Sequence, residues 1–164
     1  MSNFASFPRE PTGASELASE LLAGAAAICR GVCRRLAEQG YATLTEVTLA
    51  TGRRVDVMAL DRRGEILVVE IKSSVADFRA DHKWRDYAAH CDRLYFAVDA
   101  DMPLDILPEE AGLIVADSYG GEILRDPAPR TLPPAARRAV LLRFALAAAD
   151  RLHRLADPGV TPES

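Results

Sequence analysis

Arg53-Arg54-Val55-Asp56-Val57-Met58-Ala59-Leu60, then Asp61-Arg62-Arg63-Gly64-Glu65, then Ile66-Leu67-Val68-Val69-Glu70-Ile71-Lys72: this stretch decides the fold. Two apolar, β-branched runs flank a polar turn, the pattern of a hairpin whose strands are buried on both faces. Arg62-Arg63-Gly64 reads as a three-residue loop with its glycine in the left-handed conformation, which makes Asp61 and Glu65 the flanking pair. Counting outward from that pair, residues whose numbers sum to 126 (61 plus 65) face one another. Asp56 therefore stands opposite Glu70, with Cβ atoms ~5 Å apart. Lys72 lies two residues beyond Glu70, on the same strand face.

Two like charges facing each other inside a sheet are destabilising unless they share a proton or a cation. A hard divalent ion such as Mg²⁺ or Mn²⁺ takes oxygen ligands, commonly one or two protein carboxylates, and leaves positions for water and phosphate. An adjacent ammonium, Lys72, can orient the attacking water. Together these residues are equipment for metal-assisted phosphodiester hydrolysis. The plainer alternative makes Asp56 and Glu70 solvent-facing strand ends with Lys72 as a local counter-ion.

The chain has 164 residues, 49% of them hydrophobic, enough for one domain with a substantial core. Its longest apolar stretch, Leu21 to Ile28, is too short to span a membrane and contains Gly24. Met1 to Ser15 has neither the basic start nor the apolar centre of a signal peptide, and residues 1–14 are read as a mobile arm. Cys29 and Cys33 sit one helical turn apart and Cys91 is alone, the usage of core residues in a reducing cytoplasm. His82, His90 and His153 share no metal-ligand spacing. The net charge of −4 does not mark a nucleic-acid binder, but its distribution is uneven. Residues 99–126 hold eight acidic side chains and one basic, whereas residues 130–157 hold six arginines and two aspartates.

Around the hairpin the order of elements follows from periodicity. Leu17, Leu21, Ala25, Ile28, Val32 and Leu36 trace one face of a helix over 15–39, which Gly40 ends. Residues 42–49 form a strand with Leu44, Glu46 and Thr48 on one face. A second glycine-terminated turn, Ala50-Thr51-Gly52, places Glu46 opposite Asp56, either completing a row of acids across three strands or standing exposed on an outer strand. Ser73 and Ser74 supply an N-cap, with Asp77 in the capping-box position, for a helix running through His90. Strands follow at 93–98, 112–116 and 122–124. Residues 126–134 are a linker, 135–156 a last helix, and 157–164 a frayed tail, so that 15–156 form a single domain. The fold class is α/β, a mixed sheet in the order helix, three-strand meander, helix, strand, strand, helix.

That order, with Asp56 and Glu70-Ile71-Lys72 on the second and third strands, resembles the PD-(D/E)xK nuclease superfamily and its restriction-endonuclease-like fold. The likeness covers residues 15–98. It implies that Asp56 and Glu70 bind the metal, that the main-chain carbonyl of Ile71 completes the site, and that Lys72 assists the water. It also brings in a homodimer, since junction-cutting relatives of this fold work in pairs; the residues themselves leave oligomeric state open. Longer strings are similar to the MmcB family of bacterial DNA repair proteins. They are Glu46-Val47-Thr48-Leu49, Gly52-Arg53-Arg54-Val55-Asp56-Val57, Val69-Glu70-Ile71-Lys72-Ser73-Ser74, Asp77-Phe78-Arg79-Ala80-Asp81-His82-Lys83-Trp84, Cys91-Asp92-Arg93-Leu94-Tyr95-Phe96-Ala97-Val98 and Gly112-Leu113-Ile114-Val115-Ala116-Asp117. This resemblance implies a part in DNA repair on a nuclease-like fold, without by itself establishing catalysis.

One departure stands out. Many superfamily members add an acid from the first helix; here Glu16 and Glu20 lie too far along it, and Arg30 and Arg34 stand at the expected depth. Lys83 and Tyr87 are spaced like the Gln-x-x-x-Tyr of RecB-type nucleases, and Trp84 reads as core. Two functions follow from different classes. One is a metal-dependent deoxyribonuclease of DNA repair, acting on DNA that is branched or damaged. The other is a non-catalytic module that binds DNA or docks a partner. A hydrolase of small phosphorylated molecules is disfavoured by the lack of a glycine-rich phosphate loop. DNA would approach the open face of the sheet, meeting Arg54, Arg79, Lys83 and Arg85, with the acidic segment 99–126 turned away.

Overall fold

The computed structural model describes residues 13–159. Most of the arm expected at 1–14 and the end of the 157–164 tail therefore lie outside the described residues, while residues 13 and 14 already belong to the first helix. The elements are α1 (Gly13–Glu38), β1 (Ala42–Thr48), β2 (Arg54–Leu60), β3 (Ile66–Ile71), α2 (Val75–Ala80), α3 (Trp84–Tyr87), β4 (Arg93–Val98), β5 (Gly112–Ala116), β6 (Gly121–Arg125) and α4 (Pro134–Ala156). The six strands form one mixed sheet in sequence order. β1 to β3 are antiparallel, β4 is parallel to β3 and β5 to β4, and β6 returns antiparallel.

The hairpin forms as its residues dictate. Gly64 takes φ 84°, and the Asp61 carboxylate accepts the backbone N–H of Arg63 at 2.9 Å and of Glu65 at 2.7 Å. Side-chain capping of its own turn is the property that places aspartate there. The resulting ladder pairs Val57 with Val69 and Leu60 with Ile66, the register counted from the turn. β3 is buried at every position.

Helices cover both faces. Ile28, Val32 and Leu36 of α1 pack on Val57, Ala59, Leu67, Val69, Tyr95 and Ile114. On the other face Trp84 and Tyr87 of α3 and Val140 of α4 pack on Met58, Val68, Phe96 and Val98. Gly31 shows how closely α1 sits on the β5–β6 turn: a Cβ there would fall 2.0 Å from the Asp117 carbonyl oxygen and 2.3 Å from that of Gly120. Arg34 reaches the same turn and donates to the carbonyls of Ser118 and Tyr119.

Two expectations need correction. The helix after Lys72 is not continuous to His90. It breaks at Asp81, whose backbone is extended (φ −91°, ψ 100°), resumes as the short α3, and ends in a 3-10 turn over Ala88–His90. Asp81 uses its carboxylate in place of helical continuation, accepting the Lys83 N–H at 2.8 Å. The loose alternation expected of β1, with Leu44, Glu46 and Thr48 on one face, also fails, because Glu46 has φ 54°. The β1–β2 ladder keeps its count but skips the Glu46–Asp56 pair. Leu44 and Met58 lie in the same core layer as Val47 and Val55, three residues along each strand, where strict alternation would put them on opposite faces. The sheet thus shifts its pleat at the position of Asp56.

Candidate functional site

A cleft of about 1150 Å³ opens where β2 begins and β3 ends. Its floor is Asp56, Glu70, Ile71 and Lys72; α2, the Asp81 break, Lys83 and Tyr87 form one wall, and the other is an aliphatic stretch of α1 from Ala18 to Cys29.

The two acids meet through the backbone as well as by register. Asp56 lies just past the last ladder pair, so its neighbours' hydrogen bonds are available to side chains. Its Oδ2 accepts the Ile71 N–H at 2.8 Å, while its own N–H points at Glu70 Oε1, 3.4 Å away. Glu70 is only 4% exposed. Burial, and then the charge of Asp56, push the Glu70 carboxyl up to about 8. Burial also raises Asp56, against the pull of the Ile71 N–H and of Lys72. A pair held this way takes up a proton or a cation near neutral pH.

Lys72 is buried, but its partner is not one of those acids. Its ammonium lies 2.7 Å from Asp81 Oδ2. Burial lowers the ammonium's pKa, yet the hydrogen bond and charge of Asp81 more than offset this, so Lys72 is held protonated. Asp81, despite desolvation, is drawn below its usual value by Lys72 and by the backbone N–H of Lys83. The break in the helix is what delivers Asp81 to Lys72. Asp81 went unassigned in the sequence reading; the signal for it was that a buried lysine needs a counter-ion within reach.

The other expected residues are placed as follows. Glu46 lines the cleft rim, exposed, and pairs with Arg54. The carbonyls of Thr45 and Glu46 both accept from Arg151 of α4, which braces the left-handed turn at Glu46. Lys83 and Tyr87 both line the cleft. Arg85 does not: it stacks over Trp84, 4.3 Å from the ring centroid, and pairs with Glu110. Arg79 is exposed outside the cleft lining. The α1 residues that line the cleft run from Ala18 to Cys29, while Arg34 turns to the β5–β6 loop. No third acid comes from this helix.

The donor set suits a hard divalent ion held by two carboxylates: Glu70 is buried and Asp56 half-buried, burial and nearby like charges raise both, and an open cleft lies above them. Among the described residues no group of three or more His, Cys, Asp or Glu is placed to hold a metal, so water and substrate oxygens would have to fill the remaining positions. The cleft lining counts five carboxylates (Glu46, Asp56, Glu70, Asp77, Asp81) against three cations (Arg54, Lys72, Lys83).

The sheet with helices on both faces and a paired-acid cleft at its strand ends defines an α/β protein whose candidate site lies at the edge of β2 and β3. Residues 14–159 match the family model described as DNA repair protein MmcB-like, and the chain belongs to that family. A solved structure, the SPO1766 protein of unknown function from Silicibacter pomeroyi, is 44% identical with a TM-score of 0.82. That match covers 86% of this chain and 97% of that one, so the fold is shared. A repair endonuclease from Pyrococcus abyssi, at 20% identity and a TM-score of 0.29 over 60% of this chain and 40% of that one, is too distant to bear on the site. No curated protein matches the chain. Among the described residues no helix is long and apolar enough to cross a membrane.

Proposed function

We propose that this chain is a metal-dependent deoxyribonuclease of DNA repair, with a restriction-endonuclease-like arrangement of its sheet and site. The observation that carries the reading is the pairing of half-buried Asp56 with buried Glu70 at the open end of β3, with Lys72 beside it. A fold does not hold two desolvated like charges at a solvent-open cleft for stability. Asp56, Glu70 and the Ile71 carbonyl would hold Mg²⁺ or Mn²⁺. When bound, such an ion activates water and neutralises charge on a phosphodiester. Lys72, kept protonated and fixed by Asp81, orients the attacking water or the phosphate oxygen. Lys83, on the cleft wall, steadies a neighbouring phosphate.

The test is cleavage of branched, flapped, nicked and single-stranded DNA in Mg²⁺ or Mn²⁺. Wild type is expected to cut at least one of these, with Asp56→Ala and Glu70→Ala each reduced by about 10³-fold or more. Equal cleavage by either variant sinks the assignment.

A second reading, a non-catalytic module that binds DNA on this fold, is favoured by two observations. Lys72 is committed to Asp81, and the α1 residues that line the cleft, Ala18 to Cys29, include no acid. Calorimetric Mn²⁺ titration separates the two. Metal binding lost in Asp56→Ala alongside metal-dependent cleavage supports the nuclease. DNA binding that survives Asp56→Ala, with no substrate cut, supports the module.

A further inference from the structure

α4 has two apolar faces, and only one of them is used. Its inner face runs through Arg137, Val140, Leu141, Phe144, Ala147, Ala148 and Arg151, all buried or half-buried against the sheet. On the opposite side a second stripe runs from Ala135 through Ala139, Leu142, Leu146 and Ala149 to His153, and every residue of it is exposed. Leu142 is 58% and Leu146 55% exposed, with Leu152 alongside at 68%. The spacing of that stripe alternates four and three, the repeat of a coiled-coil seam. Ordinary packing on a sheet does not require it, since the inner face already supplies the contact.

We infer that this stripe is a homodimer interface, the α4 helices of two copies packing antiparallel about a twofold axis near Leu146. Small residues at Ala135, Ala139 and Ala149 let the two backbones approach, and the leucines fill the centre. The flanking charges choose both the partner and its direction. In heptad terms Arg143 and Asp150 occupy equivalent flanking positions one repeat apart, and both are exposed. Antiparallel pairing brings Arg143 of each copy against Asp150 of the other, twice by symmetry. Parallel pairing would instead bring Arg138 of each copy toward Arg143 of the other, a like-charge contact. A second copy of the same chain is thus the occupant whose charges fit. The 23-residue helix gives a contact ~35 Å long. The inference stands apart from the chemistry of the cleft, which α4 does not line.

Sedimentation velocity and light scattering on the full chain at micromolar concentration test it. Wild type is expected to sediment as a dimer. Leu146→Glu should be a folded monomer, because the side chain it replaces is solvent-exposed in the single copy, and its thermal midpoint should no longer depend on protein concentration as the dimer's does. Arg143→Asp should weaken the dimer by at least about tenfold, and Arg143→Asp with Asp150→Arg should restore it. A wild type that stays monomeric overturns the inference, as does a dimer indifferent to Leu146→Glu, which would use another surface. Failure of the charge swap to rescue overturns the antiparallel arrangement.

Discussion

A buried acid stands at each end of β3, Asp92 beside its first residue and Glu70 near its last, and the two ends are built in opposite ways. Beside Ile66, Asp92 is 6% exposed and every oxygen has a partner. Its Oδ2 accepts the Ile66 N–H at 2.8 Å and Arg137 Nη1 at 2.8 Å, and its Oδ1 accepts Arg137 Nη2 at 2.6 Å. The same guanidinium donates to the Gly64 carbonyl, so a single ion pair ties α4, the hairpin turn and the start of β4 together. Desolvation raises Asp92, but Arg137 and the Ile66 N–H outweigh it and hold the carboxyl below its usual value. Four residues along, Glu70 faces another acid and is pushed up instead. The two ends of one strand therefore contrast a buried carboxylate neutralised by a guanidinium with one raised by burial and a facing acid.

The largest expected effect breaks the constructed end. Arg137→Ala leaves Asp92 buried with two of those three hydrogen bonds gone and should cost about 3 kcal/mol in chemical denaturation. Because the folded Asp92 is depressed, its contribution is full above the unfolded value near 3.8 and is lost as pH falls through the lower folded value. The variant's deficit should accordingly shrink in strong acid. A loss below about 0.5 kcal/mol at neutral pH would show the pair to be ornamental.

At the open end the sign reverses. Glu70 is raised from 4.5 to about 8, so the folded state binds the extra proton. Stability in metal-free buffer should fall as pH rises from about 4.5 to about 8 and stay flat beyond. Glu70→Gln removes that dependence. It should be more stable than wild type on the order of 2 kcal/mol at pH 8, with no advantage at pH 4. Adding Mn²⁺ should raise the thermal midpoint of wild type and not of Glu70→Gln. A destabilised Glu70→Gln at pH 8 would mean that the acid pair is structural after all, like its counterpart at the other end.

Lys72–Asp81 lies between these extremes, a true ion pair inside the open cleft. Asp81→Asn keeps an acceptor for the Lys83 N–H and loses the charge, for which about 1 kcal/mol is expected. If cleavage is found, the informative comparison is kcat. A fall in kcat with KM unchanged would make Asp81 a positioning residue for Lys72, whereas equal kcat would leave it to folding alone.

The constructed end and the open end were not equally legible in the sequence. The hairpin register was, because Gly64 and the Asp61 turn leave one count and apolar flanks allow no slip. That count placed Asp56 and Glu70 together. The Asp92–Arg137 pair was not legible: its partners are 45 residues apart, and nothing local marks one arginine of α4 over another. The break at Asp81 was missed for a related reason. Helical spacing of apolar residues continues across it, and only a tertiary contact with Lys72 makes the break worthwhile. At Glu46 the turn count was sound, but a non-glycine residue in the left-handed region carries little sequence warning. Arg151, which braces it, is 105 residues away.

The smallest expected effect concerns how DNA would meet the open end. Lys83 lines the cleft, whereas Arg54 is already paired with Glu46 at the rim. With divalent ion present to balance the acidic floor, Lys83→Ala should lower the slope of log affinity against log salt by about 0.9 for duplex DNA. Arg54→Ala should change it by less, since its charge is partly cancelled before DNA arrives. Glu46→Gln should do the reverse, releasing Arg54 and steepening the slope. That ordering, Lys83 above Arg54 with Glu46 opposite in sign, follows only if phosphate runs past the cleft rim. Three variants with wild-type slopes would place DNA on another surface and leave the open end without its ligand.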